Sequence, residues 1–408
     1  MSKEFDKIRA VCIVNSKISE EVIDNDLIYY ADQKDGLGKK IIQKLSKYKN
    51  LTEVWPKSYI NLSISQLIAH EIFKADGLLL KYIKHAYIKS LPAPHQLFLK
   101  NQLERPWRYT FSRIISNPEK DFYEMEDVFT EESYLLYSPS LIQTIQERNP
   151  SLWLMMIADN GHCWQSFGLN IPLINTHVDD IFFYATEINP DIEDEEGIIE
   201  DLQDDPVPYL MFISLGINPA IHHKGYEMAY FTAHNAPYGD AFDLAALKAH
   251  FVVSWNNEIY ELKPIGIDEF PHYAIAYFDE RNNSLFRSAM TEEGFMRLSR
   301  LLKDLGYDIH QEAEVRLSLG VHQLLEKVMQ DEVVMDPYRE YFETEKDFEE
   351  EEKSPEFIAI ESFMAIAIQK HNNKEKVDVA AIASQVGANL TDAKNIWNHF
   401  KNRLKNMK

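Results

Sequence analysis

The sequence predicts an α+β protein built from several modules. Three observations carry that prediction. A chain of 408 residues, 45% of them apolar, is too long for one ordinary core. Its apolar periodicity changes from helical spacing to alternation near Trp107 and becomes mixed beyond Pro206. Two dense acidic stretches, Asp191 to Pro206 and Glu343 to Pro355, punctuate it. The expected organisation is a mainly helical region over 1–105, a β-rich module over 106–190, an α+β domain over 206–335 and a trihelical module over 354–408.

After an opening apolar stretch around Cys12, read as a strand, the first hundred residues are helical. Ile68, Ile72, Leu79, Ile83 and Tyr87 recur at helical spacing between Ser65 and Lys89, and the prolines of LPAP (Leu91 to Pro94) end that segment. From Trp107 large apolar residues alternate. NPEK (Asn117 to Lys120) reads as a turn between two strands, and DFYEMEDVF and ESYLLY as the strands that follow. LWLMMIADNGHCWQSFG predicts a hairpin whose positive-φ turn comes from Asp159, Asn160 and Gly161. Beyond the first acidic stretch, YEMAYFTA, HFVVSW, IYELKPI, HYAIAYF and SLFRS suit strands, with Asn282 and Asn283 in a hairpin turn. A helix then starts at the Thr291 cap, presents Phe295, Leu298, Leu302 and Leu305 on one face, and stops at Gly306. The acidic stretches repel themselves and read as solvated linkers or exposed helices, the second being the domain boundary.

Charge limits the function classes. With 42 basic and 65 acidic residues the formal charge is -23, which disfavours broad attraction to nucleic acid or to anionic lipid. No apolar run reaches the ~20 residues needed to span a bilayer, and the charged start is unlike a signal peptide, so a cytoplasmic, bacterial protein with no membrane contact is expected. Cys12 and Cys163 are the only cysteines and lie far apart, which argues against a disulfide framework or a thiolate zinc site. His162 adjoins Cys163, but consecutive strand side chains diverge, and Trp164 beside it suggests core packing.

Two groups carry candidate chemistry. His222, His223 and His234 have the donor type for zinc or manganese, with Gly225 available to turn the chain between them, against the plainer reading of surface or hydrogen-bonded histidines. On a strand through EIYELKPIG, Glu261 and Lys263 share a face, and Asp240 or Asp243 lies about twenty residues upstream. These few residues resemble the PD-(D/E)xK nuclease pattern, which implies that the Glu261 and Lys263 pair binds a divalent ion and steadies an attacking water, with Asp240 or Asp243 as the second ligand. The plainer alternative is an ion pair on the sheet surface.

The last fifty-odd residues depart from the acidic average, with eight basic against five acidic residues from Ser354 to Lys408. Asp378 caps a helix with Val379, Ile382, Ala383 and Val386 inward, and Gly387 turns the chain. A second helix, capped by Asn389 or Thr391, buries Leu390, Ala393, Ile396, Trp397, Phe400 and Leu404. Phe357 to His371 supplies a third helix, apolar nearly all round (Ile358, Ile360, Met364, Ile366, Ile368), which favours docking. At Ala383, Gly387, Ala393 and Ile396 the segment resembles the helix-turn-helix superfamily, over about twenty-five residues. That resemblance implies contact through Thr391, Lys394, Asn395, Asn398 and Lys401, with asparagine to adenine edges and lysine to phosphate; Asp392 opposes a phosphate backbone. The expected function is a binding or regulatory protein whose trihelical module contacts a protein partner or a second copy, with DNA contact the second expectation. The alternative is a metal-dependent hydrolase or nuclease centred on Glu261 and Lys263 or on the histidines, with a divalent metal as its cofactor.

Overall fold

The computed structural model describes residues 2–216, 221–223, 225–235 and 244–342, and of the C-terminal segment 359, 362–364, 366–368, 370, 376–390, 393–394 and 396–397. The chain is α+β and divides into two compact units, Met1–Pro337 and Tyr338–Lys408.

The N-terminal region is helical from its first described residue. The opening strand expected around Cys12 is instead part of the helix Ser2–Ser19. Tertiary contact decides this: Cys12 is fully buried while its neighbours Ile13 and Val14 are exposed, so the apolar run is split between two faces of a helix. A π-helical segment, Glu20–Leu27, follows directly. The expected segment from Ser65 to Lys89 is three helices rather than one, Lys57–Phe73, Leu79–Tyr82 and Ala86–Lys89. Asp76 with φ 55° and Gly77 break the first from the second.

Strands β1 (Arg108–Glu119), β2 (Phe122–Asp127), β3 (Ser133–Tyr137), β4 (Leu152–Asp159) and β5 (Trp164–Leu173) close into a barrel in the order β1-β2-β3-β5-β4. β3 and β5 are parallel, the other pairs antiparallel, and the helix Leu141–Arg148 lies between β3 and β4. This is the connectivity of an OB-fold barrel. Its turn at β1–β2 is displaced from the expected one: Asn117 and Pro118 remain in β1, irregular pairing between Ser116 and Glu119 accommodates them, and Asp121 with φ 66° makes the reversal. LWLMMI is apolar at consecutive positions because β4 is covered on both sides. Trp153, Met155 and Ile157 pack with Tyr123, Met125, Tyr134 and Leu136, while Leu152, Leu154 and Met156 join the large core shared with the N-terminal helices.

The first acidic stretch is not wholly solvated. It forms the helix Glu195–Asp204, capped by Asp194, with Ile198 and Leu202 buried and Asp201 accepting from Asn189 Nδ2 and Tyr209 OH. The second acidic stretch lies outside the described residues.

A two-stranded hairpin, β6 (His222–His223) and β7 (Tyr226–Glu227), precedes a six-stranded sheet. The sheet comprises β8 (Ala229–Asn235), β9 (Phe251–Asn256), β10 (Ile259–Pro264), β11 (Ile275–Asp279), β12 (Ser284–Ala289) and β13 (Val315–Ser318) in the order β13-β8-β12-β11-β10-β9. The helix Glu292–Asp304 packs Phe295, Leu298 and Leu302 against Phe231, Ala276, Phe278 and Leu285. Thr291 caps it by accepting from Gly294 N, as its sequence predicts. On the other side of the sheet, Tyr230 and Leu317 join the large core.

In the second unit the helix Val379–Val386 is capped by Asp378, whose carboxylate accepts from Ala381 N, and ends at Gly387 with φ 74°. Phe363, Ala367, Ile382, Ala383, Ala393 and Trp397 form its core. Leu390 and Ile396 do not join it. They are 42% and 38% exposed, against the expectation that both are buried.

Candidate functional site

The histidines of the metal reading are separated by their strands. His222 and His223 sit side by side on β6, Gly225 with φ 90° follows them rather than turning the chain between them, and His223 pairs with Tyr226. His234 is near the end of β8, opposite Phe286, with its backbone amide donating to Glu314 Oε2. Among the described residues, no three His, Cys, Asp or Glu side chains are grouped to hold a metal ion.

Glu261 and Lys263 do share a face of β10, and Lys263 Nζ lies 3.1 Å from Glu261 Oε2. Glu261 is buried opposite Tyr277 and Lys263 is partly exposed. Asp240 and Asp243, the upstream residues of that reading, lie outside the described residues. In the second unit Lys394 is exposed, while Thr391, Asn395, Asn398 and Lys401 lie outside the described residues.

A different place gathers functional groups. Where the end of the helix Ser2–Ser19 and the π-helical segment meet the β4–β5 hairpin and the helix Ala93–Leu103, a cavity of about 170 Å³ opens. Glu20 and Asp24, both exposed, and Asp159 line it together with Phe98, Trp107 and Phe167. Asn160, Gln165, Gln102 and several serines complete the wall, and no lysine, arginine or histidine is among its lining residues.

Each wall is held by an identifiable cause. Trp107 stacks on Phe73 at 4.3 Å, lies 5.1 Å from Phe167, and donates from Nε1 to Gln102 Oε1 at 2.5 Å. Glu20 and Asp24 are four residues apart on the π-helical segment, a widened helical turn that recurs at functional sites. Loss of hydration, with repulsion from Glu20, holds the Asp24 carboxyl above the usual carboxylate range. Asp159 accepts from Gly161 N at the hairpin turn and has Arg105 Nε at 3.6 Å on its other oxygen. Gly168, with φ 77°, brings the β5 backbone against Gln66, whose amide bonds Leu169 N and O.

One side of this cavity adjoins the two cysteines. Asn160 donates from Nδ2 to Cys12 Sγ, Cys163 Sγ and Gln165 Oε1, and Gln165 donates to Cys12 O and Ser16 Oγ. The sequence offered the hairpin turn Asp159-Asn160-Gly161 as a signal, but not what packs on it. Glu20 and Asp24 carry no motif, and only the path of the helices brings them to Asp159.

The chemistry available is recognition of positive charge. Carboxylates attract a cation, and aromatic rings favour one over their faces. The same lining repels anions. Comparison with protein-family models, curated proteins and solved structures finds no match to this chain.

Proposed function

We propose that this chain is a binding protein whose first unit takes a small organic cation into the cavity bounded by Glu20, Asp24 and Asp159. The observation that carries this reading is the lining itself: three carboxylates and three aromatic rings with no basic side chain among the lining residues. An alkylammonium group suits that combination better than a bare metal ion, because aromatic walls contribute attraction to a weakly hydrated cation and offer no ligand oxygen. Titration calorimetry of the full chain with 1,4-diaminobutane, with butyrate as the anionic control, tests it. Diamine binding that Asp24→Asn weakens about tenfold or more is the expected result, since a charged hydrogen-bond partner is worth about 1.5–3 kcal/mol. No diamine binding, or equal binding of butyrate, would end the reading.

A second reading concerns the C-terminal module as the contact element. Leu390 and Ile396 are exposed apolar side chains beside the exposed Lys394. Such a mixture suits a protein surface, and a second copy of the chain is the simplest partner. Sedimentation velocity of the full chain, wild type against Leu390→Glu with Ile396→Glu, reads this directly. A single monomeric species in the wild type would count against it. Duplex DNA binding that falls steeply with salt, and that Lys394→Ala with Lys401→Ala weakens, would instead favour the nucleic-acid reading of Thr391, Lys394, Asn395, Asn398 and Lys401.

A further inference from the structure

The two cysteines of the chain meet although 151 residues separate them. Their Sγ atoms are 3.3 Å apart and both side chains are buried. Cys12 lies on the helix Ser2–Ser19, whose Phe5 and Ile8 pack against Phe122 of β2 and Tyr137 of β3. Arg9 on the same helix reaches Asp121 Oδ2 at 3.0 Å and Lys120 O at 2.9 Å, both in the β1–β2 turn. Cys163 closes the β4–β5 turn, where Asn160 O δ1 accepts from the amides of His162 and Cys163. The helix therefore lies across the barrel between the β1–β2 and β4–β5 turns, and the sulfur pair is its contact at the second of them.

We propose that Cys12 and Cys163 form a reversible redox-modification site, at which a small peroxide-class oxidant converts the thiol pair into an intramolecular disulfide that fastens the first helix to the barrel. The thiolate of Cys12 attacks one peroxide oxygen, the O–O bond breaks, and hydroxide leaves as water after taking a proton, giving a sulfenic acid at Cys12. The Cys163 sulfur then attacks the Cys12 sulfur, loses its proton, and displaces the second oxygen as water. Two thiols are oxidised, one hydrogen peroxide is reduced, and two waters form.

The surroundings suit those roles. Hydrogen bonding to Cys163 lowers the Cys12 thiol, with help from Asn160 and Arg9 and against the effect of burial. The same contact, together with burial, raises Cys163. Disulfide formation requires the sulfurs to close by about 1.3 Å, from 3.3 Å to a bond length of about 2.05 Å. Neither cysteine lines the adjoining cavity, but Asn160, Gln165 and Ser16, which bond to the cysteines or their helix, do, so the oxidant's route in this proposal runs from that space past Asn160. A cavity of about 170 Å³ admits a peroxide and excludes a folded oxidoreductase. The inference is independent of whether a cation binds there.

The test uses the full wild-type chain. It is treated with stoichiometric hydrogen peroxide, unfolded with iodoacetamide present, and analysed by intact mass and peptide mapping. The expected result is joint loss of both thiols, a mass lower by two hydrogens, and a peptide joining Cys12 to Cys163 that dithiothreitol separates. Oxidation in the native state should run at least about tenfold faster than in urea, and amide exchange across residues 2–19 should slow once the bond has formed. In Cys163→Ser, the sulfenic acid at Cys12 should be trapped by dimedone. Retention of both free thiols, separate over-oxidation of each, bonds only between chains, or equal rates in buffer and urea would each overturn the proposal. The wild-type measurements decide it even where the variant fails to fold.

Discussion

Arg316 Nη1 lies 2.9 Å from Asp180 Oδ2, and the Asp180 side chain has no exposure to solvent. The carboxylate also accepts from His177 N, at the start of the helix Val178–Ile188, and from Ser318 N at 2.7 Å, at the end of β13. Arg316 Nη2 continues to Glu227 Oε1 on β7. One guanidinium thus joins the helix after the barrel to the hairpin before the six-stranded sheet. Burial pushes the Asp180 carboxyl upward, and Arg316 and the two amides pull it back. Asp180→Asn leaves the guanidinium only Glu227 of its two anions and should cost about 1.5–3 kcal/mol, the worth of a charged hydrogen bond. Urea denaturation of the two proteins measures the difference, and a loss below about 1 kcal/mol would show that the pair contributes little.

His70 should make the fold acid-sensitive. It is fully buried against Tyr109, at 4.9 Å between rings. Burial, followed by repulsion from Lys74, lowers its pKa from 6.5 to about 3. The folded protein therefore holds this ring neutral where the unfolded chain would protonate it. Its stability contribution is present above pH 6.5 and is lost as pH falls towards 3, by about 1.4 kcal/mol per unit. Thermal melts of wild type and His70→Phe between pH 7 and pH 4.5 should show a shallower fall in Tm for the variant. Parallel slopes would contradict the assignment.

Thr291 serves two partners at once. Its Oγ1 accepts from Gly294 N at 3.0 Å and lies 2.7 Å from His272 Nδ1, in a nearly solvent-free position. Thr291→Ala should destabilise by about 1–2 kcal/mol from loss of the cap, with a further cost for the stranded imidazole. Thr291→Ser should recover most of it. Equal losses for the two variants would assign the effect to the methyl group instead.

Asp24 offers a trade between stability and binding. Its carboxyl is raised in the folded state, so it favours the fold below the unfolded value of 3.8 and disfavours it as pH rises through the folded pKa. Asp24→Asn should therefore melt at a higher temperature than wild type at pH 7, while losing affinity for a diamine. A variant less stable than wild type at pH 7 would show that the carboxylate supports the apo fold.

Elements built by local chemistry were legible in the sequence. Thr291 with Glu292 and Glu293 announces a helix start, Asn283 takes the positive φ of 47° required by its turn, and Asp378 and Gly387 bound their helix. Each depends on neighbours a few positions away, where residue type directly sets backbone geometry. Local pattern misled where a distant surface decided burial. The apolar run around Cys12 reads as a strand until the barrel supplies a face for one side of a helix, and Asn117-Pro118 reads as a turn until β2 pairs beyond it.

Composition, the strand and helix periods, the caps and the acidic balance belong to the sequence alone, because they follow from short-range sterics and from summed charge. The approach of Cys12 to Cys163, the Arg316 clasp on Asp180, and the gathering of Glu20, Asp24 and Asp159 around one cavity belong to the tertiary structure. Cys12 and Cys163, Asp180 and Arg316, and Asp159 and the Glu20–Asp24 pair each lie more than a hundred residues apart, and no local rule couples side chains that only chain packing brings together.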